Sequence, residues 1–123
     1  MQRSTMIRTF AALRFTTGAV AWLAPRTTGR LMGLSSGRDQ PFTTQLFGSR
    51  ELTLALAITD TASPQLQARA LQLGLLTDVL DVAAAIRGVR AHTLSPTGAI
   101  VAGGGAALFA GLGLASLKSY GER

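Results

Sequence analysis

Six ionisable side chains stand inside otherwise apolar stretches: Arg14, Arg50, Glu51, Arg69, Asp78 and Asp81. A charge placed in hydrocarbon costs several kcal/mol, so such groups face one another rather than lipid. Three positive charges meet three negative ones, which is the count a self-neutralising interior needs. Asp78 and Asp81 lie three apart and share a helix face. Arg50 and Glu51 are neighbours and diverge by about 100° around a helix, so they are not expected to pair with each other. The spacing predicts Arg14 and Arg50 against the Asp78/Asp81 face, with Glu51 taking the remaining arginine. Two roles are open to this group. It can be a structural ion network that fixes helix register, or a polar site for a proton, an ion or a small substrate. Arg69 stands near a helix end, from where its long stem can carry the charge to an interface.

Other chemistries find less support. Glu51, Asp78 and Asp81 are oxygen ligands suited to Mg, Ca or Mn. The Glu-x-x-His pairs of a di-iron site are absent, and no metal or cofactor is expected. The one histidine, His92, falls in a loop and reads as solvated. There is no cysteine, which excludes thiolate metal sites, disulfides and cysteine nucleophiles. A Gly-x-Ser-x-Gly elbow and a second histidine are both missing, so no hydrolase triad forms. Gly103-Gly104-Gly105 lacks the strand before it and the Lys-Ser/Thr after it that a phosphate loop needs. No catalytic constellation is recognisable.

Four apolar segments must position these charges. The clearest runs from Gly98 to Ala115, eighteen residues drawn only from Gly, Ala, Val, Ile, Leu and Phe. About 18 or more apolar residues without charge read as a membrane span. The predicted spans are 6–24, ended by Pro25; 42–59, entered after Pro41; 65–86, entered after Pro64; and 96–117, with Ser95 as N-cap and Pro96 in the first turn. Residues 25–41 form a polar connector, with a short interfacial turn at 30–34. Short connections imply antiparallel neighbours. The expected fold is all-α: one integral membrane domain over residues 1–123, a bundle of four antiparallel transmembrane helices in a bacterial plasma membrane. A soluble helical domain with the fourth segment at its centre is the alternative, in which case the charges on the other segments face water.

Composition fits the membrane reading. Charged residues make up 15%, against about 25% in soluble domains. Mean hydropathy is +0.31. The net charge is +6, but the basic residues are scattered singly without interleaved aromatics, so no nucleic acid is expected as partner. Several flank apolar runs, where they can meet anionic lipid. A cleaved signal peptide is not expected, because Arg14 interrupts the first apolar region and Pro25 follows Ala24. The positive-inside rule favours both termini outside, with Arg26, Arg30, Arg38, Arg87 and Arg90 inside. Trp22 is expected to anchor an interface.

In the fourth segment Ala99, Gly103, Ala107, Gly111 and Ala115 recur at spacing four. Small residues on one face let another helix approach closely, within the bundle or in a partner subunit. The partners expected are therefore the lipid bilayer and, through such a face, a membrane protein or a second copy.

The stretches Phe47-Gly48-Ser49-Arg50-Glu51-Leu52-Thr53-Leu54-Ala55-Leu56 and Leu76-Thr77-Asp78-Val79-Leu80-Asp81 resemble the second and third spans of small bacterial four-span proteins of unknown function, themselves similar to DoxX-like families. Arg14-Phe15 fits the same scheme. Ala55 stands where that pattern has Gly. The resemblance covers three of the four spans and implies a compact membrane bundle whose Arg, Glu and Asp residues meet inside. Three functions follow as expectations. The first is a structural or accessory membrane subunit acting through helix contacts. The second is a small transport or proton-relay unit using the charged cluster. The third is a membrane enzyme acting on a lipid or quinone.

Overall fold

The computed structural model describes residues 3–60 and 62–121. These form five helices and, among the described residues, no strand: α1 Arg3–Leu23, α2 Pro25–Leu31, α3 Gln40–Ile58, α4 Pro64–Arg90 and α5 Pro96–Gly121. Four of them cover the segments predicted from sequence, with bounds that run up to four residues further. The polar connector differs more. It contains α2, because Pro25 ends one helix and then serves as the first residue of the next. Gly29 seats α2 on α3, where a Cβ would come within 2.8 Å of Thr44 Oγ1. The chain leaves α2 through Gly33, whose φ of 82° suits glycine. Gly33 also lies against the backbone of Gly98, so a Cβ there would meet Gly98 Cα at 2.8 Å.

Two of the helix starts are capped by serine. Ser63 Oγ accepts from Leu66 N–H at 3.3 Å, and Ser95 Oγ accepts from Gly98 N–H at 3.0 Å. α4 ends where His92 takes a φ of 59° and the N–H groups of Thr93 and Leu94 both reach Gly88 O.

The long helices form a ring. α1 packs along α3, α4 along α5, and the α3–α4 and α1–α5 contacts close it. α1 and α4 lie across the diagonal, without close backbone approach. Direction alternates. At one end Arg3 stacks on Tyr120, Tyr120 Oη donates to Gln67, and Gln67 donates to Ile58 O. At the other end Trp22 Nε1 donates to Ser49 Oγ at 2.9 Å, and Gly33 meets Gly98.

The α1–α3 seam is built on small residues. Ala11, Arg14, Gly18 and Ala21 bury against Thr44, Gly48, Glu51 and Ala55. The backbones almost touch: a Cβ on Gly18 would lie 2.7 Å from Gly48 O, and one on Gly48 would lie 2.8 Å from Gly18 O. The apolar core, by contrast, sits toward the end that holds the start of α1. It comprises Ile7, Phe10, Ala11, Ile58, Ala70, Leu71 and Phe109.

Only α5 is long and apolar enough to cross a membrane by length and composition alone, among the described residues. Its packed face differs from the predicted row. Ala99 and Gly103 are half-buried, whereas Ala107, Gly111 and Ala115 are exposed. The inward residues are Gly98, Ala106, Phe109, Gly113 and Ser116. A strict spacing of four drifts about 40° per step around a helix of 3.6 residues per turn, so the row rolls off the contact face. Alternating steps of four and three stay on it.

Candidate functional site

Arg14 is 1% exposed, although nothing neutralises it locally on α1. Its partners come from the rest of the ring. Nη1 donates to Glu51 Oε2 on α3 at 2.6 Å. Nη2 donates to Asp78 Oδ2 on α4, across the diagonal, and reaches Gly74 O at 3.4 Å. Its guanidinium stacks on Phe10 and, from α5, on Phe109, with 4.9 and 5.0 Å to the ring centroids. One side chain thus touches all three other long helices. Glu51 and Asp78 are each 1% exposed.

A second arginine extends the network. Arg50 Nη2 donates to Asp81 Oδ2 at 2.6 Å and Nη1 to Asp81 Oδ1 at 3.3 Å, a two-pronged pair between α3 and α4. Its guanidinium lies 4.9 Å from the Phe47 ring centroid. Arg50 Nη2 also reaches Glu51 Oε1 at 3.4 Å, because both side chains bend to the same carboxylate level. Neighbours expected to point apart therefore do meet. The order in space alternates in sign: Asp78, Arg14, Glu51, Arg50, Asp81.

All five of Arg14, Arg50, Glu51, Asp78 and Asp81 are brought together. Arg69 is not. It is exposed, one turn and a half into α4, and has no part in the network. The three-against-three balance expected from sequence becomes two guanidinium groups against three carboxylates. The aromatic platforms under the arginines are absent from the sequence-based set. Phe10 stands four residues before Arg14 and Phe47 three before Arg50, spacings that place ring and guanidinium on one helix face. Phe109 carries no such local signal.

Beside the network lies a cavity of about 670 Å³. Phe10 and Phe109 meet edge-on with centroids 5.6 Å apart and close one side. The cavity is lined from both the α1/α3 pair and the α4/α5 pair, and Leu31, Met32, Leu34 and Leu94 line the end near α2. The walls are apolar, including Leu13, Val20, Leu31, Phe47, Val101 and Leu108. Thr16 and Thr17 also line it, but their hydroxyls donate to Ala12 O and Leu13 O on their own helix. The charged lining consists of Arg50, Glu51, Asp78 and Asp81. Among the described residues no group of three or more His, Cys, Asp or Glu is placed to hold a metal ion. The sequence row Ala99, Gly103, Ala107, Gly111 and Ala115 stays outside this site, with Gly103 touching only Ala85.

Comparisons with protein-family models, with curated proteins and with solved structures gave no match.

Proposed function

We propose that this chain is a four-span membrane protein whose ionic network holds α1, α3, α4 and α5 together and floors a binding cavity for an amphipathic molecule. It is a small transport-type unit rather than a purely structural one. The observation that carries this reading is the segregation of charge. Between Arg8 and Arg26, between Asp39 and Asp60, between Arg69 and Arg87, and from Arg90 to Lys118, every charged side chain belongs to the one network. At about 1.5 Å per residue, the gap from Arg69 to Arg87 alone is about 27 Å, close to the hydrocarbon thickness of about 30 Å. Hydropathy of α1, α3 and α4 is lowered in part by network charges that pair with one another.

The outer surface of that belt is apolar. Phe15, Leu46, Leu56, Leu73, Leu76, Val79, Leu80, Ile86, Ile100 and Leu114 are all exposed. So large an apolar surface on a single chain marks contact with lipid or protein. Its exposed threonines need no water. Thr53 donates to Ser49 O at 2.9 Å and Thr77 to Leu73 O at 2.9 Å. Both ends carry excess positive charge, the α2 end more so through Arg26, Arg30, Arg38, Arg87 and Arg90. That end faces the cytoplasm and the termini lie outside under the positive-inside rule. The resemblance to small DoxX-like membrane proteins agrees with this architecture.

The test is extraction followed by native mass spectrometry. The chain stays in the membrane pellet through alkaline carbonate and needs detergent for release. A small amphipathic molecule then travels with the wild type and is lost from Gly105→Leu, which narrows the cavity. Release by carbonate contradicts the spans, and an equal spectrum for both chains contradicts the binding role.

A second reading has its own observation. Ala107, Gly111 and Ala115 are exposed on α5, and a Cβ on Gly111 would meet nothing within 4 Å. A helix of another subunit can approach there closely, as an accessory role requires. Gly111→Leu then removes a copurifying partner while leaving the fold intact.

A further inference from the structure

We propose that the cavity beside the ionic network selects a hydrophobic monocation, a molecule with a large apolar body and one delocalised or shielded positive charge. This rests on the binding role proposed above and goes further by fixing the sign and number of the ligand's charge.

Three observations carry it. The first is the charge count. Arg14 and Arg50 face Glu51, Asp78 and Asp81, which leaves one negative charge in excess. Arg69, the arginine that would have balanced the count, is on the exposed surface of α4. The second is where the excess lies. Glu51 spends one oxygen on each arginine, so it is the most fully neutralised of the three. Asp78 accepts from Arg14 through Oδ2 alone among the described residues, and it lines the cavity. Asp81 is held on one side by Arg50, while its carboxylate remains about one third exposed and also lines the cavity. An ionised carboxylate has about four lone-pair positions, so both aspartates keep acceptor capacity on the cavity side.

The third observation is the character of the walls. Leu13, Val20, Phe47, Val101, Leu108 and Phe109 offer no donor or acceptor. A strongly hydrated ion such as Na⁺ would find only the two aspartates in place of its water shell, with apolar walls on the remaining sides. A cation that carries its own apolar cover satisfies both the walls and the floor. An anion of the same shape would meet an uncompensated carboxylate in a poorly screened setting, and like charges there repel strongly. The volume of about 670 Å³ falls in the usual range for small-molecule sites, about 300–1,000 Å³.

Tetraphenylphosphonium and tetraphenylborate form a suitable pair of probes, nearly equal in shape and opposite in charge. Equilibrium dialysis of each against the purified full chain in mild detergent is compared with two variants in the same detergent. Gly105→Leu fills the cavity without changing charge. Gly105 lines it, and a Cβ there meets nothing within 4 Å, so the fold tolerates the change. Asp81→Asn removes the excess charge and leaves two arginines against two carboxylates. Circular dichroism and gel filtration confirm that both variants fold.

The expected result is tetraphenylphosphonium binding to the wild type, about tenfold or more weaker in each variant. Tetraphenylborate shows no difference among the three chains. If both probes bind and both weaken in Gly105→Leu alone, the cavity is a binding site without charge selection, and the inference fails while the binding role stands. The inference fails in the same way if the excess charge is cancelled by a resident proton, because Asp81→Asn then leaves phosphonium affinity unchanged. If Gly105→Leu changes neither probe, the binding role fails too.

Discussion

The two ends of the helix ring are built on opposite terms. Toward the start of α1, Phe10 and Phe109 meet edge-on over Ile7, Ile58 and Leu71, and the interior is closed. Toward α2, the same helices separate around about 670 Å³ of space. The ionic network is the partition between them. Its Arg14 side lies against the Phe10 and Phe109 rings, and its Arg50–Asp81 side faces the cavity. The difference teaches that one set of charges can serve two tasks by position. The Arg14 half is sealed, with Arg14, Glu51 and Asp78 each 1% exposed. The Asp81 half is partly open and keeps unused acceptor capacity.

If that division is right, substitutions on the closed side cost stability and those on the open side cost binding. The largest effect is expected from Arg14→Ala, which leaves Glu51 and Asp78 buried without their partner. Breaking a buried pair in this way costs about 3–5 kcal/mol. Thermal unfolding in mild detergent reads it, and adding Glu51→Gln and Asp78→Asn to the same chain restores part of the loss. Phe10→Ala follows at about 3 kcal/mol, because a 1%-exposed ring is replaced by a void. Gly48→Ala comes next. A methyl there would sit 2.8 Å from Gly18 O, so α1 and α3 must part, at about 1–3 kcal/mol. Urea or detergent-titration midpoints measure both. The smallest effects on stability come from the open side. Gly105→Leu stays within about 1 kcal/mol of wild type, since it enters an unfilled space. Asp81→Asn costs less than Arg14→Ala, because Arg50 keeps Glu51 as a partner.

Sequence reasoning reaches some of this and not the rest, for physical reasons. The long helices are legible because Pro25, Pro64 and Pro96 punctuate them and Ser63 and Ser95 cap two of them. α2 is not legible, since Pro25 reads equally as an end and as a beginning. The five network residues stand out because charges inside apolar runs are costly wherever they are placed. The meeting of Arg14 and Arg50 with the Asp78/Asp81 face is legible as well. The Arg50–Glu51 contact is not, because neighbours about 100° apart on a helix are not expected to pair. Arg69 upsets only the charge count: its place near the start of α4 turns it outward, as its position near a helix end leads one to expect. The Gly18–Gly48 seam is inconspicuous beside the denser glycines of α5. A high density of small residues marks where close approach is possible, and only the direction of the opposing backbone decides where it happens.

In the proposed arrangement α1, α3, α4 and α5 cross a bilayer with their shared charges inside. The absence of cysteine makes the direct measurement clean. Single cysteines are placed at Ser36 on the α2 end, at Ala62 on the opposite end and at Leu76 on the outer face of α4, and intact cells are treated with a membrane-impermeant maleimide. In the proposed topology Ala62→Cys labels from outside, Ser36→Cys labels only after the membrane is opened, and Leu76→Cys stays unlabelled in both conditions. Labelling of all three to the same extent, with the chain in the soluble fraction, would contradict it.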